Sequence, residues 1–313
     1  MWPYVIRRVL ATLPVLGVVA VIVFLLLRLS PGDPAAIIAG DNASADDILA
    51  IRAQLGLDRP MLEQFLLWLG QLLRGDFGNS IYLSRPVLGL IAERVEPTLA
   101  LSLSTMAFAI ALAIPMGVLA AWRAGSWIDQ TIMAVSVLAF SVPVFLIGYG
   151  LVIGLSLSLD LLPVQGFVSL TEDPVAFVRH LVLPTVALGL VYTALLARIT
   201  RATMLETLNE DFIRTARAKG LAEPRVLILH GLKNASVPIV TTIGTGLALL
   251  IGGVVVTESV FAIPGIGRLT IEAVLQRDYP VIQGVILAIA FVYVLVNLVI
   301  DLSYTLLDPR IRY

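Results

Sequence analysis

Cysteine is absent from the 313-residue sequence, which excludes disulfides, thiolate catalysis and cysteine–metal sites together and leaves the redox compartment open. Charge is scarce: Asp, Glu, Lys and Arg make up 14% of the chain, where a soluble domain carries about 25%. Histidine occurs only at His180 and His230, too few and too far apart in sequence for a persuasive metal site. There is no Gly-x-x-x-x-Gly-Lys-Ser/Thr phosphate loop, and no Ser/His/Asp or paired-carboxylate pattern that suggests catalysis. No metal, cofactor or catalytic residue is therefore expected on the chain. The formal net charge of −1 says nothing about partners, and a nucleic-acid partner is not expected. The placement of the charges says more.

What the sequence has is apolar length. It is 58% hydrophobic, with a mean hydropathy of +0.96. This is the composition of an integral membrane protein, to be counted in spans rather than soluble cores. With charges taken as fences, six apolar runs stand out: Val9–Leu27, Pro97–Trp122, Gln130–Leu159, Leu181–Ala197, Asn234–Thr257 and Tyr279–Ile300. Each is near or above the roughly 20 residues that cross the hydrocarbon, the fourth being short and the third long. The expected fold class is all-α, a polytopic protein with six transmembrane helices. Arg7 and Arg8 before the first run superficially resemble a signal peptide. The 19 uncharged residues that follow are longer than a signal core and end in no small-x-small cleavage pattern, so a retained first span is expected. Pro115 and Pro143 are expected to kink or locally unwind their helices.

Cations orient the chain. Arg7 and Arg8 precede span one, Arg123 lies between spans two and three, and Arg310 and Arg312 end the sequence. The loop 198–233 holds Arg198, Arg201, Arg214, Arg217, Lys219, Arg225 and Lys233, including both lysines of the protein. Both termini and this loop are thus expected in the cytoplasm. Three parts follow: residues 1–29 as the N-terminal end and first span, 30–96 as an extracytoplasmic cap, and 97–313 as the membrane core carrying the loop.

In the cap, Ser44-Ala-Asp-Asp47 reads as a helix start with Ser44 as N-cap, running to about Leu55 and stopping at Gly56. A second helix begins around Pro60, with Leu62, Phe65, Leu66, Leu69 and Leu73 at helical spacing. Asp76-Phe-Gly-Asn-Ser80 reads as a turn, and the whole as a packed lid rather than a ligand site. Gly244, Ala248 and Gly252 form a small-residue stripe that permits close helix approach, and Gly150 and Gly154 are expected to do the same. Gly265-Ile-Gly267 reads as a turn rather than a phosphate cradle. No ionisable group falls inside the six runs; Glu258 and Asp301 lie just beyond two of them, where they can reach interfacial water. A proton-driven carrier would show buried acids or histidines as a relay.

The loop is the most informative stretch. Span four is expected to continue as helix through Thr200–Leu208 and to break at Asn209-Glu-Asp211. Ile213–Lys219 then forms a short helix stopped by Gly220. Arg214, Arg217 and Leu221 are expected to share one side, and Ala216 and Gly220 a small-residue side. Such a helix could insert into a cleft on another protein, its arginines engaging acidic or carbonyl groups. Alternatively these cations merely fix topology. Pro224 opens a further helix leading back to the membrane through His230 and Asn234.

At these residues a resemblance is plain. Asp211-Phe-Ile-Arg-Thr-Ala-Arg-Ala-Lys-Gly220, then His230-Gly-Leu-Lys-Asn-Ala235 and Pro238, resembles the EAA loop of ABC transporter permeases in its peptide-transporter form. Arg7-Arg8, Pro31-Gly-Asp-Pro34, Gln54-Leu-Gly-Leu57 and Gly75-Asp-Phe-Gly78 are similar to the B-type subunit of the dipeptide/oligopeptide/nickel family. So are Pro264-Gly-Ile-Gly267, Arg277-Asp-Tyr-Pro280 and Asp308-Pro-Arg-Ile-Arg312. The closing Ile-Arg-Tyr313 looks most like the glutathione-type members. The first glutamate of the general loop pattern is Arg214 here, as in the peptide branch.

The resemblance implies a type I ABC importer permease fold in a bacterial inner membrane. It also implies a C-type permease companion, two ATP-binding subunits inside that hold ATP and Mg, and a solute-binding protein outside. On this reading Arg214, Thr215, Ala216, Arg217, Gly220 and Leu221 contact an ATPase, and the substrate is a dipeptide, an oligopeptide or glutathione, with nickel complexes or another non-peptide solute as the alternative. A self-contained secondary transporter is the rival class; it often shows two related halves, which are not evident here. A membrane-bound scaffold that docks through the same loop and transports nothing is the other.

Overall fold

The computed structural model describes residues 2–29, 35–36, 44–54 and 56–307. Pro31–Pro34, Leu55 and the closing segment from Asp308 to Tyr313, with Arg310 and Arg312, lie outside the described residues. Among the described residues the chain is helical, with no strand beyond an isolated bridge between Asn79 and Pro86. In chain order the helices are α1 (Trp2–Leu29), α2 (Ala45–Gln54), α3 (Met61–Leu73), α4 (Val87–Trp122), α5 (Trp127–Ser141) and α6 (Val144–Leu151). They continue with α7 (Pro174–Leu208), α8 (Asp211–Ala218), α9 (Glu223–Arg225), α10 (Ser236–Gly253), α11 (Val255–Val260), α12 (Ile266–Leu275) and α13 (Tyr279–Leu307). Wider π-type turns, Val152–Ser158 and Val226–Leu232, extend α6 and α9.

Among the described residues four helices are long and apolar enough to cross a membrane: Ile6–Leu26 within α1, Val87–Trp122, Pro174–Leu208, and Tyr279–Ser303 within α13. Two bent pairs bring the number of spans to as many as six. Trp127–Ser141 meets Val144–Ser158 at 96°, and Glu223–Leu232 meets Ser236–Gly252 at 62°. All-helical spans follow from the solvent, since lipid offers no partner to an unsatisfied backbone group. The two prolines expected to disturb their helices act differently. Val142 is extended (ψ 126°) before Pro143, and the long third run divides there, because proline lacks an amide and disfavours the α region for its predecessor. Pro115 sits inside an unbroken α4.

The chain forms two compact units. One comprises Glu96–Arg268 with Tyr293–Tyr313. In it α4 and α7 touch backbone to side chain. A Cβ on Gly117 would lie 2.5 Å from Thr200 Cβ and 2.8 Å from the Ala197 carbonyl, and one on Gly189 would lie 2.5 Å from Phe108 Cδ1. Between lipid-soluble helices such close packing, rather than removal from water, supplies the association energy. The core there gathers Leu101 and Met106 of α4, Leu181, Leu183 and Leu188 of α7, and Leu250 of α10. Gly244 has its close approach, since a Cβ would overlap Ile300. Gly150 and Gly154 do not: a Cβ on either would meet nothing within 4 Å.

Glu258 corrects another expectation. It does not reach water: its relative exposure is 0%. Thr98 Oγ1 donates to its Oε1 at 2.6 Å, the Arg268 amide donates to its Oε2 at 2.8 Å, and Thr98 Oγ1 in turn accepts from the Ile266 amide at 2.8 Å. The carboxylate thus caps the start of α12, where the helix dipole favours an anion. It lies so close that a Cβ on Gly265 would overlap it. Gly265-Ile-Gly267 is therefore not a loop turn as expected: Gly265 precedes α12, and Ile266 and Gly267 open that helix round a buried acid.

The other unit comprises Trp2–Val95 with Leu269–Val292. Helix α2 starts directly after Ser44 and ends in a Schellman turn, with Gly56 at φ +63° and the Gly56 and Leu57 amides donating to Ala53 and Arg52. Helix α3 begins at Met61, directly after Pro60, as expected. The packed face of α3 is shifted from the expected stripe. Phe65 and Trp68 stack on Phe24 of α1 at 5.1 and 5.6 Å, while Leu62, Leu66 and Leu73 stay exposed.

The turn at Asp76–Ser80 is held by Asp76 Oδ1 accepting from the Gly78 amide at 2.9 Å. It is anchored on Asp278, which is 3% exposed. Asp278 accepts from the Ser80 hydroxyl and from the Ile81 and Tyr82 amides at 3.2 and 3.3 Å. Gly75-Asp-Phe-Gly78 and Arg277-Asp-Tyr-Pro280, far apart in sequence, are therefore neighbours.

Candidate functional site: the arginine-rich helix pair

Helix α7 runs unbroken through Leu208, and Asn209 closes it with its amide bonded to the Glu206 carbonyl at 3.2 Å. Helix α8 follows at once. Its first-turn Asp211 pairs with Arg214, and Thr215 Oγ1 donates to the Asp211 carbonyl at 3.0 Å. Gly220 ends it at φ +75°, with its amide on the Arg217 carbonyl at 2.9 Å and the Leu221 amide on the Ala216 carbonyl at 3.3 Å. That is a Schellman stop. A Cβ there would meet nothing within 4 Å, so glycine is required by backbone conformation and not by space. Arg217 then binds Glu223 at 2.7 and 3.3 Å, fastening the end of α8 to the start of α9.

The faces of α8 differ from the expected ones. Ile213 (0% exposed) and Ala216 (7%) turn inward onto Val226, with Leu208 and Leu221 packed beside them. Burying Ile213 brings Ala216 to the same face, since residues three apart are helix neighbours. Ala216 is thus part of the loop's own small core and Leu221 is half-buried against it, whereas Arg214, Thr215, Arg217 and Gly220 are exposed. The expected grouping of Leu221 with the arginines, and of Ala216 with Gly220, is not what forms. Phe212 joins the outer face at 41% exposure, and Ile228 and Leu229 stand out from the following turn at 63% and 51%. Sequence reading missed these three. The available signal was Phe212-Ile213, two adjacent apolar residues on a helix that can bury only one.

The helix pair is firmly mounted. Met204 (0%), Leu227, Ala235 and Ile239 pack with Ala113 and Ala121 of α4 and Leu196 and Ala197 of α7. Beside this contact, Asp129 at the start of α5 takes a two-pronged ion pair from Arg201 of α7, Nε to Oδ1 at 2.5 Å and Nη2 to Oδ2 at 2.7 Å. Asp129 also accepts from the Gly125 amide at 2.9 Å, and its side chain is only 5% exposed. Packed side chains and this ion pair thus join the helix pair to α4, α5 and α7. Among the described residues no group of three or more His, Cys, Asp or Glu could hold a metal ion.

The family described as "Binding-protein-dependent transport system inner membrane component" matches residues 113–313, and its N-terminal companion matches residues 1–113. A probable peptide ABC transporter permease protein of Sinorhizobium fredii is 49% identical over 310 residues, 99% of each chain. A glutathione transport system permease protein of Escherichia coli is 43% identical over 311 residues, again 99% of each chain. The inward-facing MetNI methionine ABC transporter superposes with a TM-score of 0.60 at 18% identity, over 72% of this chain and 100% of that one; this likeness shows the fold. The chain belongs to the binding-protein-dependent transport system inner membrane component family and is an ABC transporter permease.

Proposed function

We propose that this permease subunit is half of a heterodimeric translocation path for short peptides, glutathione among them, driven by two ATP-binding subunits, one of which docks on α8. The observation that carries the reading is the exposed face of α8, with Phe212, Arg214, Thr215 and Gly220, standing on a base whose inner side is packed into α4, α7 and α10. A rigid mount with a free amphipathic face suits a lever that receives motion. Coupling is then differential affinity: ATP closes the ATPases, and the loop favours the permease state that fits the closed pair. The chain itself hydrolyses nothing; ATP and Mg belong to the ATPases.

The partners are a C-type permease, the two ATPases and a solute-binding protein that lands in part on residues 30–96. The loop 198–233 and both termini face the cytoplasm, a placement supported by the cations concentrated in the loop and at Arg7 and Arg8. Peptide transport is supported by what the two full-length relatives are named for.

The test is uptake of labelled dipeptides and glutathione by the importer purified from its host with its companions and reconstituted in vesicles. Thr215→Trp and Arg214→Glu change the outer face at the cost of one exposed contact each to Asp211, unlike a bulky residue at Ala216, which would disturb the Ile213 core. Losing about 1.4 kcal/mol of docking weakens the ATPase contact about tenfold, so uptake should fall while membrane insertion is kept. Uptake and binding-protein-stimulated ATP hydrolysis both unchanged in Thr215→Trp and Arg214→Glu would sink the coupling role. Transport of neither peptide class by the parent importer would sink the substrate.

A further inference from the structure

Helix α3 carries two apolar faces, and the packing of α1 accounts for one of them. Phe65 and Trp68 lie against Phe24, and Arg28 ties the helix down by donating from Nε to Gln64 Oε1 at 3.0 Å. Beside this packed face runs a ridge of leucines at positions 62, 66 and 73, which share a narrow arc of the helix. Leu62 is 71% exposed, Leu66 58% and Leu73 80%. Glu63 and Gln71, both exposed, lie outside that arc, with the half-exposed Leu67 alone between them.

The height of α3 along α1 decides what covers that ridge. The apolar window of the first span runs from Ile6 to Leu26. Its outward residues, Val18, Val21 and Ile22 among them, are exposed as lipid-facing side chains must be in an isolated span. Helix α3 packs on Phe24, inside the apolar window, and its polar tie is to Arg28, just beyond it. Phe24 and Arg28 are about 6 Å apart along a helix. The contact therefore straddles the level where hydrocarbon gives way to headgroups. A tryptophan and an arginine at that level are the side chains that membrane interfaces favour. Leucines of α3 that point away from α1 at this height meet lipid as a continuation of the apolar surface of the span itself.

We infer that α3 is an interfacial membrane helix, held sideways against the end of the first span with Leu62, Leu66 and Leu73 immersed among the lipid acyl chains. Its occupant is the bilayer of the permease's own membrane. Such a helix lies along the interface with its apolar arc in the acyl boundary and its polar arc towards water. It fixes the depth of the end of α1, and with it the height of the Asp76–Ser80 turn that follows α3. The leaflet concerned depends on the orientation proposed above; the immersion does not.

The absence of cysteine makes the test direct. Single variants Leu66→Cys, Leu73→Cys, Glu63→Cys and Gln71→Cys are spin-labelled in the assembled importer, in lipid vesicles. Accessibility is read with molecular oxygen, which concentrates in the acyl region, and with a water-soluble nickel chelate. The oxygen-to-nickel ratio at positions 66 and 73 should exceed that at 63 and 71 severalfold. Leu62→Cys supplies the same reading if either leucine variant fails to assemble. Ratios at 66 and 73 equal to those at 63 and 71 would place the ridge in water and overturn the inference. Shielding of 66 and 73 from both probes would show a protein partner on the ridge and overturn it as well. Adding the nickel chelate to one side of the vesicles separates an error of leaflet from an error of immersion.

Discussion

The Asp129–Arg201 pair offers the most quantitative test of the mount beneath α8. In Arg201→Met a carboxylate that is 5% exposed loses its cation and keeps the Gly125 amide as its remaining described partner. Removing one member of a buried pair costs about 3–5 kcal/mol, because the other charge is left uncompensated. Arg201 is 28% exposed, so solvent already screens part of the interaction and the lower end, about 3 kcal/mol, applies. That corresponds to about two decades in a folding equilibrium. Asp129→Asn in the same protein removes the stranded charge and leaves an amide oxygen for Gly125, and should return about 2 kcal/mol of the loss.

The assay is a double-mutant cycle on the assembled importer in lipid nanodiscs, with denaturant unfolding of the parent, both single variants and the double variant. Two outcomes would refute the reasoning. Arg201→Met could lie within about 0.5 kcal/mol of the parent, a surface-like value, or the two substitutions could simply add. Either would mean that the pair is solvated in the assembly and does not hold α5 to α7.

Two further outcomes follow from the same geometry. Ile213→Ala removes the fully buried centre of the loop core and should cost about 2–5 kcal/mol locally; faster proteolysis between Leu208 and Val226, in a chain that still inserts, checks it. Gly265→Ala drives a methyl group into the Glu258 carboxylate and should lower the yield of folded protein sharply, with partial recovery in Gly265→Ala combined with Glu258→Ala; size-exclusion chromatography of the purified importer reads both.

Much of the loop was legible in the residues. The end of α7 at Asn209, the short α8 and the Gly220 stop follow from propensity and from the positive φ that glycine tolerates. The faces of α8 were not legible, because Phe212-Ile213 offers two candidate inward residues and only the position of Val226 chooses between them. Trp68 was missed on α3 for a related reason: its leucines dominate the periodicity, yet an aromatic stack on Phe24 is the contact that forms. The position of Glu258 at the end of an apolar run predicts access to interfacial water. The Thr98 hydroxyl and the Arg268 amide bind it instead.

Composition and charge placement were enough to establish a polytopic helical membrane protein, the approximate position of each span and the loop that stands apart from them. Transfer into lipid, backbone satisfaction within a helix and glycine's left-handed turns are properties of a residue and its near neighbours. Tertiary contacts alone decided that Ala216 faces inward, that Asp129 and Arg201 join α5 to α7, that Asp278 gathers the turn after Asp76, and that Glu258 is sealed beneath Gly265. Each of these depends on which distant segment arrives to supply a hydrogen bond, a countercharge or a packing surface, and local sequence holds no record of that arrival.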